Sequence, residues 1–400
     1  MIKIRNRGAT VITSTIFSIL ITILFSAGCK SIVERQDVRP RILRDVPAQR
    51  LAYRLEPDVS PPADLKIEDT DKIPGIQNDF SARRQDDALL RTVVSPDGKR
   101  ALALYGTENE PRSAFRIDVY SADGNFLRNL IPPELSCVFP ESVAWSPDGN
   151  YINFIAHKRV VRSSPTPPPD AIPDISPNPA PSVAPAFAPV AAFETEQIYI
   201  CNRDGYDLKP LTSREGLIYF SFAWAPDNHA LVALACKETE WNEREKEFKL
   251  PAGRPRLIAP DGQERLLDDS LTEALPVWSP DSSKVATAFD FDVGVYDAAN
   301  ASRTRARMPL RAKLISASIA FEQKGAHKKD DSAEKNSNAA PASSTNPVPA
   351  SLNPIVRLEW PSPEKLFFET AYVRLMPNEA INTFQRWHLL MLSAQAAVLK

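Results

Sequence analysis

Short apolar runs alternate with polar turns along most of this chain, and the same order returns several times. Ala101–Tyr105, Tyr151–Ala156, Leu231–Ala235, Val285–Phe289 and Leu366–Phe368 are apolar runs of strand length. A turn phrase stands before each of them: Val-Val-Ser-Pro-Asp-Gly at Val93–Gly98, Ala-Trp-Ser-Pro-Asp-Gly at Ala144–Gly149, Ala-Trp-Ala-Pro-Asp-Asn at Ala223–Asn228 and Val-Trp-Ser-Pro-Asp-Ser at Val277–Ser282. A degraded copy reads Glu-Trp-Pro-Ser-Pro-Glu at Glu359–Glu364. Proline pre-sets the φ of a turn, and Asp-Gly or Asp-Asn tolerates the left-handed position that follows. Strand, turn and strand therefore predict a β-hairpin in each copy.

A second hairpin follows the first. Phe115–Tyr120 leads through Ala122-Asp123-Gly124 to Phe126–Leu130, and Gln197–Cys201 leads through Arg203-Asp204-Gly205 to Leu208–Leu211. Arg256–Ala259 leads through Pro260-Asp261-Gly262 to Arg265–Leu267. Asp-Gly between apolar runs is a strong short-range hairpin signal. The fourth unit keeps the shape at Val293–Tyr296, and the fifth is expected to end with Trp387–Leu392 and Ala394–Leu399.

Spacing turns these hairpins into a repeat. Pro96, Pro147, Pro226 and Pro280 are separated by 51, 79 and 54 residues, and Pro361 lies 81 residues beyond Pro280. The two long intervals contain 163–190, dense in proline, and 325–354, rich in Lys, Ser, Asn, Ala and Pro. Neither composition builds a packed core. Subtracting these insertions restores a period near 50 residues in both places. Four strands per unit at that period predict an all-β chain folded as a β-propeller of four-stranded blades. Five blades are recognisable over 86–400, and six remain an alternative if the preceding segment supplies strands.

Trp-Ser-Pro-Asp-Gly followed by an apolar strand, Ile-Tyr and an Asp-Gly turn resembles the WD40-like repeat of TolB-type propellers. Glu196–Thr212 (Glu-Gln-Ile-Tyr-Ile-Cys-Asn-Arg-Asp-Gly-Tyr-Asp-Leu-Lys-Pro-Leu-Thr) is especially similar. The resemblance covers Ala88 to Lys400 outside the insertions. It implies the fold, and by fold-level analogy a scaffold role at the cell envelope. Six blades are usual in that family, against five marked here.

The N-terminus is patterned differently. Lys3, Arg5 and Arg7 precede an apolar stretch from Val11 to Phe25, and Ser26, Ala27 and Gly28 lead to Cys29. This is the anatomy of an export signal over 1–28. Ala27-Gly28-Cys29 resembles a bacterial lipobox, with Ser26 where leucine is usual. The resemblance implies that Cys29 carries the lipid that holds the protein to a membrane. A plain secretory signal or an N-terminal anchor is the alternative. Lys30 in place of aspartate leans towards the outer membrane and its periplasmic face. Residues 29–85, punctuated by Pro40, Pro47, Pro57, Pro61, Pro62 and Pro74, are expected to be an extended tether. Arg50–Leu55 within it is a candidate strand that joins the main domain.

Composition narrows the function. Lys+Arg 48 against Asp+Glu 50 gives no basic excess, so nucleic acid is not an expected partner. Cys137, Cys201 and Cys236 lack metal-ligand spacing, their pairing is not legible from sequence, and they are expected to be small buried hydrophobes. None of the four histidines (His157, His229, His327, His388) sits in a metal-binding motif, and there is no Gly-x-Ser-x-Gly elbow and no dinucleotide or phosphate glycine pattern. No enzyme and no cofactor is expected. Asp97, Asp148, Asp227 and Asp281 invite a catalytic or calcium role. One per blade, they are expected to be turn residues spread apart from one another. Trp145, Trp224, Trp278 and Trp360 are expected to pack blade against blade. The charged run Glu238–Lys249 is expected to be a solvated loop or hairpin, with Trp241 and Phe248 as candidate anchors for a docked partner. The resulting expectation is a lipid-anchored interaction module for an envelope protein or cell-wall component. A ligand- or cation-binding sensor, and then a glycan- or peptide-acting enzyme, are the alternatives.

Overall fold

The computed structural model describes residues 42–63, 65, 72–107, 114–159, 190–298, 303–320, 354–374 and 382–394. The signal segment 1–28, Cys29, and nearly all of the insertions 163–190 and 325–354 lie outside the described residues.

The chain's first strand, β1 (Leu51–Val59), is set aside for the last sheet. The first sheet runs in chain order through β2 (Asp87–Val94), β3 (Arg100–Thr107), β4 (Arg116–Ser121) and β5 (Phe126–Asn129). The second has a divided inner strand. Its β6 (Leu135–Cys137) and β7 (Ala144–Trp145), separated by a 3-10 turn at Pro140–Ser142, both pair with β8 (Tyr151–Lys158), followed by β9 (Gln197–Asn202) and β10 (Lys209–Pro210). The third is β11 (Leu217–Trp224), β12 (Leu231–Lys237), β13 (Arg254–Ile258) and β14 (Glu264–Leu266). The fourth is β15 (Val277–Trp278), β16 (Lys284–Phe289), β17 (Asp292–Asp297) and β18 (Arg305–Pro309). The fifth begins with β19 (Ile355–Ser362), β20 (Lys365–Arg374) and β21 (Asn382–Ala394). All pairings are antiparallel, and the Pro-Asp phrases make the tight turns into β3, β8, β12 and β16. The fold is that of β-propeller blades, five in the described residues.

The fifth sheet corrects the expected tether. Its fourth strand is β1, paired from Leu51↔Ala394 to Val59↔Trp387. Within its described residues the tether thus gives its one strand to the fifth blade. Of the expected last hairpin, Trp387–Leu392 lies in the long strand β21, and residues 395–399 lie outside the described residues. The physical reason is alternation: Leu51, Tyr53 and Leu55 fall on one face and join the core of the fourth and fifth sheets. Further on, Pro74–Arg83 is a helix, α1, with proline at its first turn. Its Ile76 and Phe80, four residues apart, are buried against Ala101, Ala103, Tyr105 and Tyr120 of the first sheet.

Each sheet buries both faces of its second strand. On β3, Leu102 and Leu104 join a core with Trp145, Phe154 and Tyr199 of the second sheet, while Ala101, Ala103 and Tyr105 face α1. Similar shared cores link the second sheet to the third, the third to the fourth and the fourth to the fifth. This explains why the runs after the turns are continuously apolar and do not alternate with polar residues.

Candidate interaction face

Each Pro-Asp phrase closes in the same way. Ser95 Oγ donates to Asp97 Oδ1 at 2.8 Å and accepts from the Arg100 amide at 2.9 Å. Ser146 and Asp148 repeat this at 2.6 Å, as do Ser279 and Asp281 at 2.7 Å. In the third sheet Ala225 replaces the serine, and Asp227 accepts from the His229 amide at 3.1 Å. Gly98, Gly149, Asn228 and Ser282 hold the left-handed position. The carboxylates are thus engaged in their own turns. The Lys99 amide, Arg203 and Ser95 hold Asp97 far below the usual carboxylate range. Partial burial pushes the other three up, but their turn hydrogen bonds outweigh it and keep Asp148, Asp227 and Asp281 low.

The four carboxylates stay in separate turns, but the turns themselves are not isolated. Successive turns touch. A Cβ placed on Gly149 would lie 3.4 Å from Pro96. The Asp148 amide donates to Asn228 Oδ1 at 3.1 Å, and the Asp227 amide donates to Ser282 Oγ at 3.1 Å. Arg203 of the second sheet reaches back to Asp97 at 2.8 Å, and Arg100 of the first reaches forward to Asp204 at 3.2 Å. The turns meet because each leads into the corresponding strand of its sheet, β3, β8, β12 or β16. The result is one continuous face of four interlocked turns, with Pro96, Pro147, Pro226 and Pro280 all exposed on it.

The motif tryptophans stand behind this face. Trp145 and Trp278 are buried, and each donates its indole N–H to the inner strand of the preceding sheet, Trp145 to Val93 O at 3.1 Å and Trp278 to Ala223 O at 3.0 Å. Trp360 turns to Pro363 O in its own sheet at 3.2 Å. Trp224 packs against the second sheet, but its Nε1 has no hydrogen-bond partner.

Within the charged run, Glu238–Lys246 forms a helix, α2, in place of the expected loop or hairpin. Acidic Glu238 and Glu240 open it, and basic Arg244 and Lys246 close it, matching the helix dipole. Glu240 fixes it by pairing with Arg254 at 2.7 and 2.9 Å. The candidate anchors separate. Trp241 is half-buried and faces inward onto Phe139 and Phe220, with ring centroids at 5.6 and 5.7 Å. Phe248 is 98% exposed, beside Leu250 at 69%.

One polar site was not legible in the motifs. Beneath α1, Arg84 Nη1 pairs with the buried Asp118 at 2.6 Å and its Nε pairs with Asp87 at 3.0 Å. The guanidinium lies 4.3 Å from the Phe80 ring centre and 4.1 Å from that of Tyr105. Burial lowers the Arg84 pKa, but Asp118 outweighs it and holds the guanidinium charged. Burial also pushes the Tyr105 hydroxyl up to about 12. A cavity of about 340 Å³ opens beside Arg84, lined by Lys72, Gln77, Ser81 and Asp87. The sequence signal for it is Asp118 between the apolar residues Ile117 and Val119 of β4. Among the described residues no group of three or more His, Cys, Asp or Glu is placed to hold a metal ion, and Cys137, Cys201 and Cys236 are buried thiols.

No protein-family profile matches this chain, and no curated protein matches it. Solved structures do show likeness. Prolyl oligopeptidase B from Galerina marginata matches with a TM-score of 0.42 and 10% identity over 77% of this chain and 35% of its own. An oligogalacturonate lyase in complex with manganese matches with a TM-score of 0.37 and 10% identity over 72% and 63%. A nidogen/laminin complex matches with a TM-score of 0.31 and 11% identity over 76% and 84%. The chain spans about a third of the first of these and just under two thirds of the second.

Proposed function

We propose that this protein is a lipid-anchored, extracytoplasmic β-propeller that binds an envelope protein or cell-wall component, in the manner of a TolB-like scaffold. The observation that carries the reading is the turn face. Its prolines are exposed, its carboxylates stay ionised, and its loops are hydrogen-bonded to one another, so it is ordered before any partner arrives. Pre-ordering removes part of the entropic cost of association. The lipobox-like Ala27-Gly28-Cys29 supports the anchor. A cross-linking pull-down from the native envelope tests the reading. A stable partner is expected with the wild type and is expected to be lost when the exposed prolines Pro96, Pro147 and Pro226 are all replaced by serine. Retention of the partner by that variant would remove the turn face from the proposal. Metabolic lipid labelling, lost in Cys29→Ser, tests the anchor.

The cavity beside Arg84 and Lys72 favours a second reading, a sensor or carrier of a small ligand. A thermal-shift screen with metals, sugars and peptides separates it from the first. Stabilisation by one compound class, abolished in Lys72→Ala, is its expected signature.

A further inference from the structure

The repeat provides an internal control for each seam between sheets. Opposite the inner-strand residue two places before the turn proline's serine or alanine, the second strand carries an apolar side chain in three sheets. Leu102 faces Val93, Val232 faces Ala223, and Ala286 faces Val277. In the second sheet this residue is Asn153, opposite Ala144. Asn153 is 0% exposed, and neither its Oδ1 nor its Nδ2 has a partner among the described residues.

A second departure falls on the same seam. Val93 and Ala223 accept the indole N–H of the next sheet's tryptophan. Ala144 holds the matching place for Trp224, yet Trp224 Nε1 is buried without a partner. Asn153 and Trp224 share one face of the second sheet. Ile200, paired with Asn153, and Ile155, two residues along β8, both belong to the cluster on which Trp224 packs. The one polar residue at this repeat position thus coincides with the one motif indole left unpaired.

We infer that the seam between the second and third sheets is a binding site for a single water molecule bridging Trp224 Nε1 and the Asn153 carboxamide. The donor and acceptor set selects the ligand. Trp224 Nε1 and Asn153 Nδ2 offer protons, so the ligand must accept twice; Asn153 Oδ1 needs a proton, so it must also donate. A metal cation is repelled by two N–H groups, and a simple anion has no proton to give. Water meets all three demands, and buried waters in proteins make about three such bonds. The inference is independent of the function proposed above.

Two measurements on the folded wild-type protein test it. A high-resolution crystal structure is expected to show an ordered water within about 3.2 Å of both Trp224 Nε1 and the Asn153 amide. Water-selective NMR is expected to show a long-lived water cross-peak at the Trp224 indole N–H, assigned by its loss in Trp224→Phe. In Asn153→Leu, which installs the residue found at Leu102, that cross-peak is expected to vanish as the indole turns to the Ala144 carbonyl. A direct Asn153–Trp224 hydrogen bond with no solvent between, or a Trp224 cross-peak that is absent in the wild type or persists in Asn153→Leu, would overturn the inference. The wild-type measurements decide the question even if the leucine variant does not fold.

Discussion

Two buried residues set the strongest expectations at the residue scale. Asp297 pairs with Lys284 at 3.2 Å, both side chains almost wholly buried, and its carboxylate also accepts the Ala48 amide at 3.2 and 3.1 Å. Removing one partner of such a pair leaves an uncompensated charge, at a cost of about 3–5 kcal/mol. Asp297→Ala is expected to lose that much in urea unfolding, whereas replacing Lys284 and Asp297 together by methionine and leucine is expected to lose much less. His388 is the second. It accepts the Asp58 amide at Nδ1, lies 3.1 Å from Thr370 Oγ1 at Nε2, and is buried, which lowers its pKa to about 4, helped by Arg386. Between that value and the ordinary histidine value of about 6.5, the unfolded chain binds more protons than the folded one. Its contribution to stability is therefore complete above pH 6.5 and is lost as the pH falls towards 4. Comparing unfolding free energies of the wild type and His388→Gln across that window is expected to show a shallower slope for the variant.

At the scale of elements, what was legible follows from where the information lies. The Pro-Asp turns and Asp-Gly hairpins are local, so their residues state them. Helix α1 is not local in that sense. Pro74–Arg83 is polar, and it is held by packing on the first sheet that only the tertiary fold supplies. Its docking is also backbone on backbone. A Cβ on Gly124, at φ +82°, would lie 2.7 Å from the Cα and carbonyl carbon of Gly75. Gly124→Ala is expected to destabilise the protein by about 1–3 kcal/mol and to raise hydrogen exchange over 74–83 specifically. Trp241 was misplaced for a related reason. A charged run signals exposure, but it does not show that one aromatic within it turns inward to Phe139 and Phe220. Asn153 was equally hidden, because an amide in a strand means little until its repeat counterparts are aligned at Leu102, Val232 and Ala286.

At the scale of the whole molecule, the period near 50 made the blade architecture legible, whereas the partner of β1 was not. Pairing of Leu51 with Ala394 is invisible to any local pattern, since no residue near either strand records the other. A chain starting at residue 42 is expected to fold cooperatively. One starting at residue 60 leaves the edge of β21 unpaired and is expected to aggregate, as measured by light scattering during refolding.

That pairing also sets an order of events in the cell. Synthesis runs from the N-terminus at about 5–20 residues per second, so β1 is finished while its partner is still roughly 330 residues and about 17–66 s away. The first four sheets hold all their strands in sequence and can settle as they emerge, but the fifth must wait until β21 has been made. A ribosome stalled anywhere before β21 therefore leaves a nascent chain with a bare strand, a natural handle for chaperones and proteases that inspect unfinished proteins.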